Sequence, residues 1–198
     1  MSASTREVEL KARVADVDAV RRALHAAGAT LVFDGELHDR LYDKGKRELS
    51  ARDHVLRLRT YVSADGSSSA HLDWKGPTSR DDGFKVREEL TTGITEPSAM
   101  SEVLDRLGYS VVGSIDRRIA QYEMSTGDGS VTLRFETYPR MDDLVEVEGS
   151  PAAIEDAIRA TGIARQEFSA RRLTDFVRDF EARTGQKSAI RDSDMTAT

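Results

Sequence analysis

The chain of 198 residues contains no cysteine, which excludes disulfides, thiolate metal sites and cysteine nucleophiles and suits a reducing compartment. Proline is scarce, with 4 residues against 14 glycines, a balance that fits regular elements joined by tight turns rather than a fibrous or proline-rich disordered chain. Long hydrophobic runs are missing. No stretch approaches the roughly 20 apolar residues of a membrane-spanning helix. The opening MSASTREVELKARV has no apolar run of the secretory type ahead of its charges. A cytoplasmic location without a membrane partner is therefore expected. A basic excess is missing too: 29 Lys+Arg face 35 Asp+Glu, a formal charge of −6. Nucleic-acid binders usually carry a basic surface that releases counterions, so no nucleic-acid partner is expected. What remains, 38% hydrophobic and 32% charged residues, describes one globular domain able to build a core.

Period-two alternation predicts strands at Glu7–Lys11, His54–Thr60, Ala70–Lys75, Phe84–Leu90, about Ile115–Met124, Val131–Glu136 and Leu144–Glu148, with a short one at Asp39–Asp43. Asp65-Gly66 and Asp128-Gly129 mark hairpins, since these pairs favour the positive φ of tight turns. Helical spacing predicts a helix capped by Asp16 and closed by Gly28, and others at Pro97–Leu107, Pro151–Ala160 and about Ala170–Arg183, each followed by glycine. The expected domain spans residues 1–185. The aperiodic tail Gln186–Thr198 is expected to be disordered.

Successive strand side chains face opposite ways, and the sorting is unusually consistent. Glu7, Glu9 and Lys11 oppose Val8 and Leu10; Arg57 and Arg59 oppose Leu56 and Leu58; Asp73 and Lys75 oppose Leu72 and Trp74. Lys85, Arg87 and Glu89 oppose Val86 and Leu90, Arg134 and Glu136 oppose Leu133 and Phe135, and Glu146 and Glu148 oppose Val145 and Val147. Amphipathic helices must cover the apolar faces, which turns the charged faces toward one another inside a curled or closed sheet. Unpaired buried charges cost many kcal/mol, so such an interior must solvate something charged. Mixed signs fit a polyphosphate with its divalent cation: carboxylates suit Mg²⁺ or Mn²⁺, and arginine forks and lysines suit phosphate oxygens.

The ordered series Glu7-Val8-Glu9-Leu10-Lys11, Leu56-Arg57-Leu58-Arg59, Trp74-Lys75-Gly76-Pro77, Lys85-Val86-Arg87-Glu88-Glu89 and Glu146-Val147-Glu148 resembles the CYTH superfamily of triphosphate tunnel metalloenzymes over roughly Arg6 to Phe180. That resemblance implies an α+β fold, a closed antiparallel barrel of about eight strands with helices packed outside. It implies metal binding by Glu7, Glu9, Glu136, Glu146 and Glu148. It implies phosphate binding by Lys11, Arg57, Arg59, Lys75, Lys85, Arg87, Arg134 and one of Arg117 and Arg118, of which Arg118 is taken. Glu7, Glu9, Lys11 and Glu148 are the catalytic candidates, Mg²⁺ or Mn²⁺ the cofactor, and a small-molecule triphosphate the partner; a homodimer is left open. Departures from the family pattern are Glu136 in place of an aspartate and the want of a lysine before the last glutamates, for which Arg140 is a substitute.

Three functions follow as expectations: metal-dependent hydrolysis of an inorganic, nucleoside or thiamine triphosphate; a class IV adenylyl cyclase; or a non-catalytic polyphosphate-binding module. The full set of carboxylates favours catalysis, and the want of a base-binding motif favours hydrolysis. An empty lumen is expected to hold mutually repelling cations, so that Arg59→Ala would relieve strain. His25, His38, His54 and His71 are scattered and indicate no histidine metal cluster. Trp74 reads as core beneath a helix, Tyr42 and Asp43 as sheet-edge residues, and Arg171-Arg172 as a solvated face or a position near a tunnel mouth.

Overall fold

A computed structural model describes residues 5–195. Its strands are β1 (Thr5–Val14), β2 (Thr30–Lys44), β3 (Val55–Ser63), β4 (Ser68–Lys75), β5 (Ser79–Asp81), β6 (Phe84–Ile94), β7 (Tyr109–Thr126), β8 (Gly129–Thr137) and β9 (Asp143–Gly149). The helices are α1 (Val17–Ala26), α2 (Pro97–Arg106), α3 (Pro151–Thr161) and α4 (Leu173–Thr184). The sheet runs β1-β9-β8-β7-β2-β3-β4-β6, every paired register being antiparallel, and β1 pairs again with β6 through Glu7↔Arg87 and Glu9↔Lys85. That last pairing closes an eight-stranded barrel, with β5 added along β6.

Local chemistry sets the turns. Gly66 stands at φ +83° in the β3–β4 hairpin, and the Asp65 side chain accepts from Ser67 N at 2.9 Å. At Gly35 an added Cβ would lie 2.2 Å from the Val62 carbonyl oxygen, so no larger residue fits there without moving β3. Asp16 caps α1, accepting from Ala19 N at 2.9 Å, and Ser150 caps α3.

Helices cover the apolar outer faces, as the alternation requires. Leu10, Leu133, Phe135, Val145 and Val147 are buried with Val20 and Leu24 of α1 and Ile154 and Ile158 of α3. Each such side chain contributes about 1.5–3 kcal/mol on burial. A smaller cluster packs Leu104 of α2 over Tyr42 and Leu58, and a third joins Phe176 of α4 to Tyr138 and Leu144. Trp74 is not beneath a helix: it is half-buried on the outer face with its ring edge-on to His54 at 5.2 Å, because α2 covers Leu56, Leu58 and Leu72 instead.

Two expectations about chain order are corrected. The strand expected at Asp39–Asp43 is the end of the 15-residue β2, whose earlier part lacks clean alternation. The tail expected to be disordered is held on the barrel around Ala189 and Ile190. Ala189 is fully buried and exchanges two backbone hydrogen bonds with Arg140 (2.8 and 3.1 Å), and Asp116 N donates to the Ile190 carbonyl at 2.8 Å. A segment without periodicity can still be ordered by pairing its backbone with a neighbouring strand. Residues 1–4 of the expected domain and 196–198 of the expected tail lie outside the described residues.

Candidate active site

The inward faces of the eight strands carry the cations Lys11, Arg57, Arg59, Lys75, Lys85, Arg87, Arg117 and Arg134 and the carboxylates Glu7, Glu9, Asp39, Asp73, Glu89, Glu136, Glu146 and Glu148. Many of these side chains are tied to one another. Every residue expected to face the interior does so except Arg118. Its side chain is 70% exposed near Asp34, whereas the Arg117 side chain is 5% exposed and enters the lumen. The reason is parity on β7: Arg118 shares its face with Ala120, Tyr122 and Met124, which belong to the helix-covered core. Arg140 is also outside the lumen, donating to the Lys187 carbonyl on the surface.

The charges of the lumen are paired, not self-repelling. Lys75 Nζ lies 2.6 Å from both oxygens of Glu7, and Lys85 Nζ lies 2.5 Å from Glu9 Oε1. Arg57 donates twice to Asp73 Oδ2 (2.6 and 2.9 Å), and Arg59 forms a two-pronged pair with Asp39 (2.7 and 2.9 Å). Arg134 Nη1 donates to Glu146 Oε1 at 2.8 Å. Removing Arg59 would therefore leave Asp39 short of a partner rather than relieve strain.

Glu136, expected from the resemblance as a metal ligand, is engaged by three donors of the chain. Its Oε2 accepts from Lys11 (2.7 Å) and the Tyr138 hydroxyl (3.0 Å), and its Oε1 accepts from Arg117 Nε (2.9 Å). Arg117 Nη1 continues to Asp39 Oδ2 at 3.0 Å. Glu136 and Asp39 thus form an acidic seam that fixes Lys11, Arg59 and Arg117. Arg87 is likewise held, by the carbonyls of Gly76 (2.7 Å) and Asp53 (2.6 Å). Asp53 also accepts from Thr78 N (2.8 Å) and Arg172 (2.8 Å), tying α4 to the mouth.

Glu148 stands apart. Among the described residues its side chain has no hydrogen-bond or ion-pair partner, and burial with Glu7 and Glu146 beside it pushes its carboxyl up to about 7. Burial and Glu146 also raise Glu9, against the pull of Lys85. Lys11 behaves oppositely: burial opposes its charge, yet Glu136 and Glu146 hold it well above the usual lysine range. Burial works against the Glu146 charge as well, but Lys11 and Arg134 hold that carboxyl well below its ordinary value. Glu7, Glu9, Glu146 and Glu148 stand together on β1 and β9, and a divalent cation there would relieve the raised Glu9 and Glu148 carboxyls.

Asp39 and Tyr138 were missed in the sequence, and of the two arginines left open there Arg117 is the one that faces inward. Tyr138 stands two residues after Glu136, the spacing that keeps it on the same face. A further group, His38, Asp116 and Asp192, brings three ligand-type atoms within 4.8 Å of one another outside the lumen, across sequence distances that conceal it. Arg40 Nη1 already donates to Asp116 Oδ1 at 2.7 Å, the oxygen that lies 3.0 Å from His38 Nδ1. Asp43, expected at a sheet edge, is buried and accepts from the backbone of Lys44, Leu49 and Ser50.

A cavity of about 440 Å³ opens from this lumen beneath α4. A closed barrel whose interior sets arginines and lysines against glutamates defines the class, a charged tunnel. The CYTH domain profile matches residues 5–140, and the chain belongs to that family. No curated protein matches the chain. Solved structures do. A candidate adenylate cyclase from Vibrio parahaemolyticus is 20% identical with a TM-score of 0.70, covering 89% of this chain and 99% of that one. A protein from Pyrococcus horikoshii is 24% identical with a TM-score of 0.69, covering 87% and 98%. A candidate adenylyl cyclase from Hippeastrum with a dominant triphosphatase activity is 16% identical with a TM-score of 0.60, covering 93% and 97%. No helix among the described residues is long and apolar enough to cross a membrane.

Proposed function

We propose that the chain hydrolyses a triphosphate in a metal-dependent reaction within the barrel. The observation that carries this reading is Glu148, without a hydrogen-bond or ion-pair partner among the described residues, beside Glu7 and Glu146 in an interior where cations and carboxylates interleave. Glu7, Glu9, Glu146 and Glu148 would hold Mg²⁺ or Mn²⁺, a fit supported by the raised Glu148 and Glu9 carboxyls, which a cation would relieve. Bound there, the ion would screen phosphate charge and acidify a water. Lys75 and Lys85, released from Glu7 and Glu9, would turn to phosphate oxygens together with Arg57, Arg59 and Arg134. Lys11 and Arg117, fixed by Glu136, would stabilise charge on the transferring phosphoryl group. In this reading water is the attacking group. The dominant triphosphatase activity of the Hippeastrum neighbour supports the same direction.

The alternative is cyclisation of ATP, favoured by the cyclase description of the Vibrio neighbour. Phosphorus NMR of ATP incubated with the protein and Mg²⁺ separates the two. Hydrolysis yields ADP and orthophosphate and cyclisation yields pyrophosphate and a cyclic phosphodiester; an unchanged ATP spectrum contradicts cyclisation, and unchanged spectra of ATP, thiamine triphosphate and tripolyphosphate together contradict hydrolysis.

A further inference from the structure

One lumen cation is held differently from the rest. Lys75, Lys85, Arg57, Arg59, Arg117 and Arg134 each pair with a carboxylate. Arg87, buried in the same interior, spends its fork on backbone instead. Its Nε donates to the Gly76 carbonyl at 2.7 Å, and its Nη2 to the carbonyls of Asp53 at 2.6 Å and Lys75 at 3.4 Å. Burial lowers its pKa, whereas carboxylates, against the pull of burial, raise those of Arg59, Arg117 and Arg134.

The three carbonyls belong to two stretches of chain. Lys75 ends β4 and Gly76 follows it, while Asp53 lies before β3 at a left-handed φ of +57°, uncommon for any residue but glycine. The Asp53 carboxylate accepts from Thr78 N at 2.8 Å. Arg87 and Asp53 therefore tie the approach to β3 and the exit from β4 into one piece, and Lys75 projects from it. Glu7, which holds the Lys75 ammonium, is also the β1 partner of Arg87. Gly76 has no slack: an added Cβ would lie 3.3 Å from the Trp74 ring and 3.5 Å from Glu88 Cβ.

We infer that Arg87 is a positioning residue, which fixes the backbone from which Lys75 swings between Glu7 and a phosphate oxygen and does not itself hold phosphate. The inference rests on the proposed triphosphatase reading, in which Lys75 is a phosphate ligand, and replaces the phosphate contact that the resemblance implies for Arg87. With Nε and Nη2 committed, only Nη1 is left for a ligand. A two-pronged phosphate contact would have to break a carbonyl bond and leave the oxygen of buried Gly76 or that of Asp53 short of its donor. Lys75 gains from the opposite arrangement. A lysine side chain is a flexible stem, so the accuracy with which its ammonium meets a phosphate depends on where its backbone is held, and a misplacement of about 1 Å can cost about 100-fold in rate.

The test measures kcat/KM with Mg²⁺, on whichever of ATP, thiamine triphosphate and tripolyphosphate is turned over fastest, for Arg87→Lys and Gly76→Ala, each in the wild-type and the Lys75→Ala background. Lysine keeps the charge but puts a single ammonium where the fork met two carbonyls, so it does not replace the clasp. Gly76→Ala displaces the same carbonyl and leaves Arg87 in place. The expected result is a loss of at least tenfold in each variant, shrinking below twofold once Lys75 is alanine. The emission of Trp74, the one tryptophan of the chain, should shift in Arg87→Lys while circular dichroism keeps the native spectrum. Activity of Arg87→Lys or Gly76→Ala within twofold of wild type, a loss that persists in full beside Lys75→Ala, or an unchanged Trp74 emission overturns the inference. Where Arg87→Lys does not fold, Gly76→Ala decides it in the two backgrounds. If no triphosphate is hydrolysed, the triphosphatase reading fails; the same comparison is then made on the calorimetric Kd for tripolyphosphate, and absence of binding overturns the inference as well.

Discussion

Lys75 and Glu7 occupy one another: the ammonium lies 2.6 Å from each carboxylate oxygen, and Lys85 does the same for one oxygen of Glu9. In the proposed reading the lysines are phosphate ligands and the glutamates metal ligands, so neither ligand can bind fully until both pairs open.

Metal and triphosphate should therefore bind cooperatively. Saturating Mg²⁺ is expected to tighten triphosphate binding about 5- to 150-fold, and triphosphate to tighten Mg²⁺ binding by the same factor. Calorimetric titrations in both orders measure the coupling. Independent affinities would show that the pairs do not exchange partners.

Arg117 and Arg118 should separate cleanly. Arg117→Ala removes one cationic partner from each of Asp39 and Glu136, both nearly inaccessible to solvent, and should cost about 3–5 kcal/mol. Arg118→Ala should stay within about 0.5 kcal/mol. Arg59→Ala should also destabilise the ligand-free protein, since Asp39 loses a two-pronged partner. Urea denaturation of the three variants decides it, and equal costs at 117 and 118 would refute the parity of β7.

Glu148 should make stability and metal affinity depend on pH in opposite directions. Its carboxyl, raised to about 7 from the ordinary 4.5, keeps in the native state a proton that the unfolded chain loses. Its contribution to stability therefore falls as pH rises from about 4.5 to 7. Mg²⁺ binding must displace that proton, so affinity should rise about tenfold per unit below pH 7 and level off above it. Glu148→Gln should flatten both profiles. A variant whose metal affinity keeps the wild-type pH dependence would assign the proton elsewhere.

Tyr138→Phe should cost about 1.5–3 kcal/mol, the range for a hydrogen bond to a charged group, because its hydroxyl donates to buried Glu136. It should also slow turnover by loosening Lys11 on the same oxygen. Thermal denaturation and initial rates measure the two effects. Unchanged values in both would remove Tyr138 from the seam.

Most of the barrel was legible because charge and apolarity alternate strictly on β1, β3, β6, β8 and β9, and a period-two pattern needs only one buried face to be read. Where both faces mix types, the reading failed. On β2, Leu37, Asp39 and Leu41 share the inward face while Tyr42, on the other face, joins the core under α2. The pattern is inverted and Asp39 went unseen. On β7 the signal existed: Tyr122 and Met124 face the helices, and counting back two at a time places Arg118 outward. The tail was misread because its order comes from pairing with Arg140 and Asp116, partners invisible in the local sequence.

The melting temperature with Mg²⁺ and either triphosphate or monophosphate tests the central claim most directly. A ligand that binds only the native state at a hundredfold excess over Kd stabilises it by about 2.7 kcal/mol. A chain of three phosphates can engage Arg57, Arg59, Lys75, Lys85 and Arg134 at once, whereas a single phosphate reaches few of them. The account predicts a shift with triphosphate several degrees above that with monophosphate, and lost on addition of a chelator. Equal small shifts for the two anions, unchanged by the chelator, would contradict a metal-dependent triphosphate tunnel.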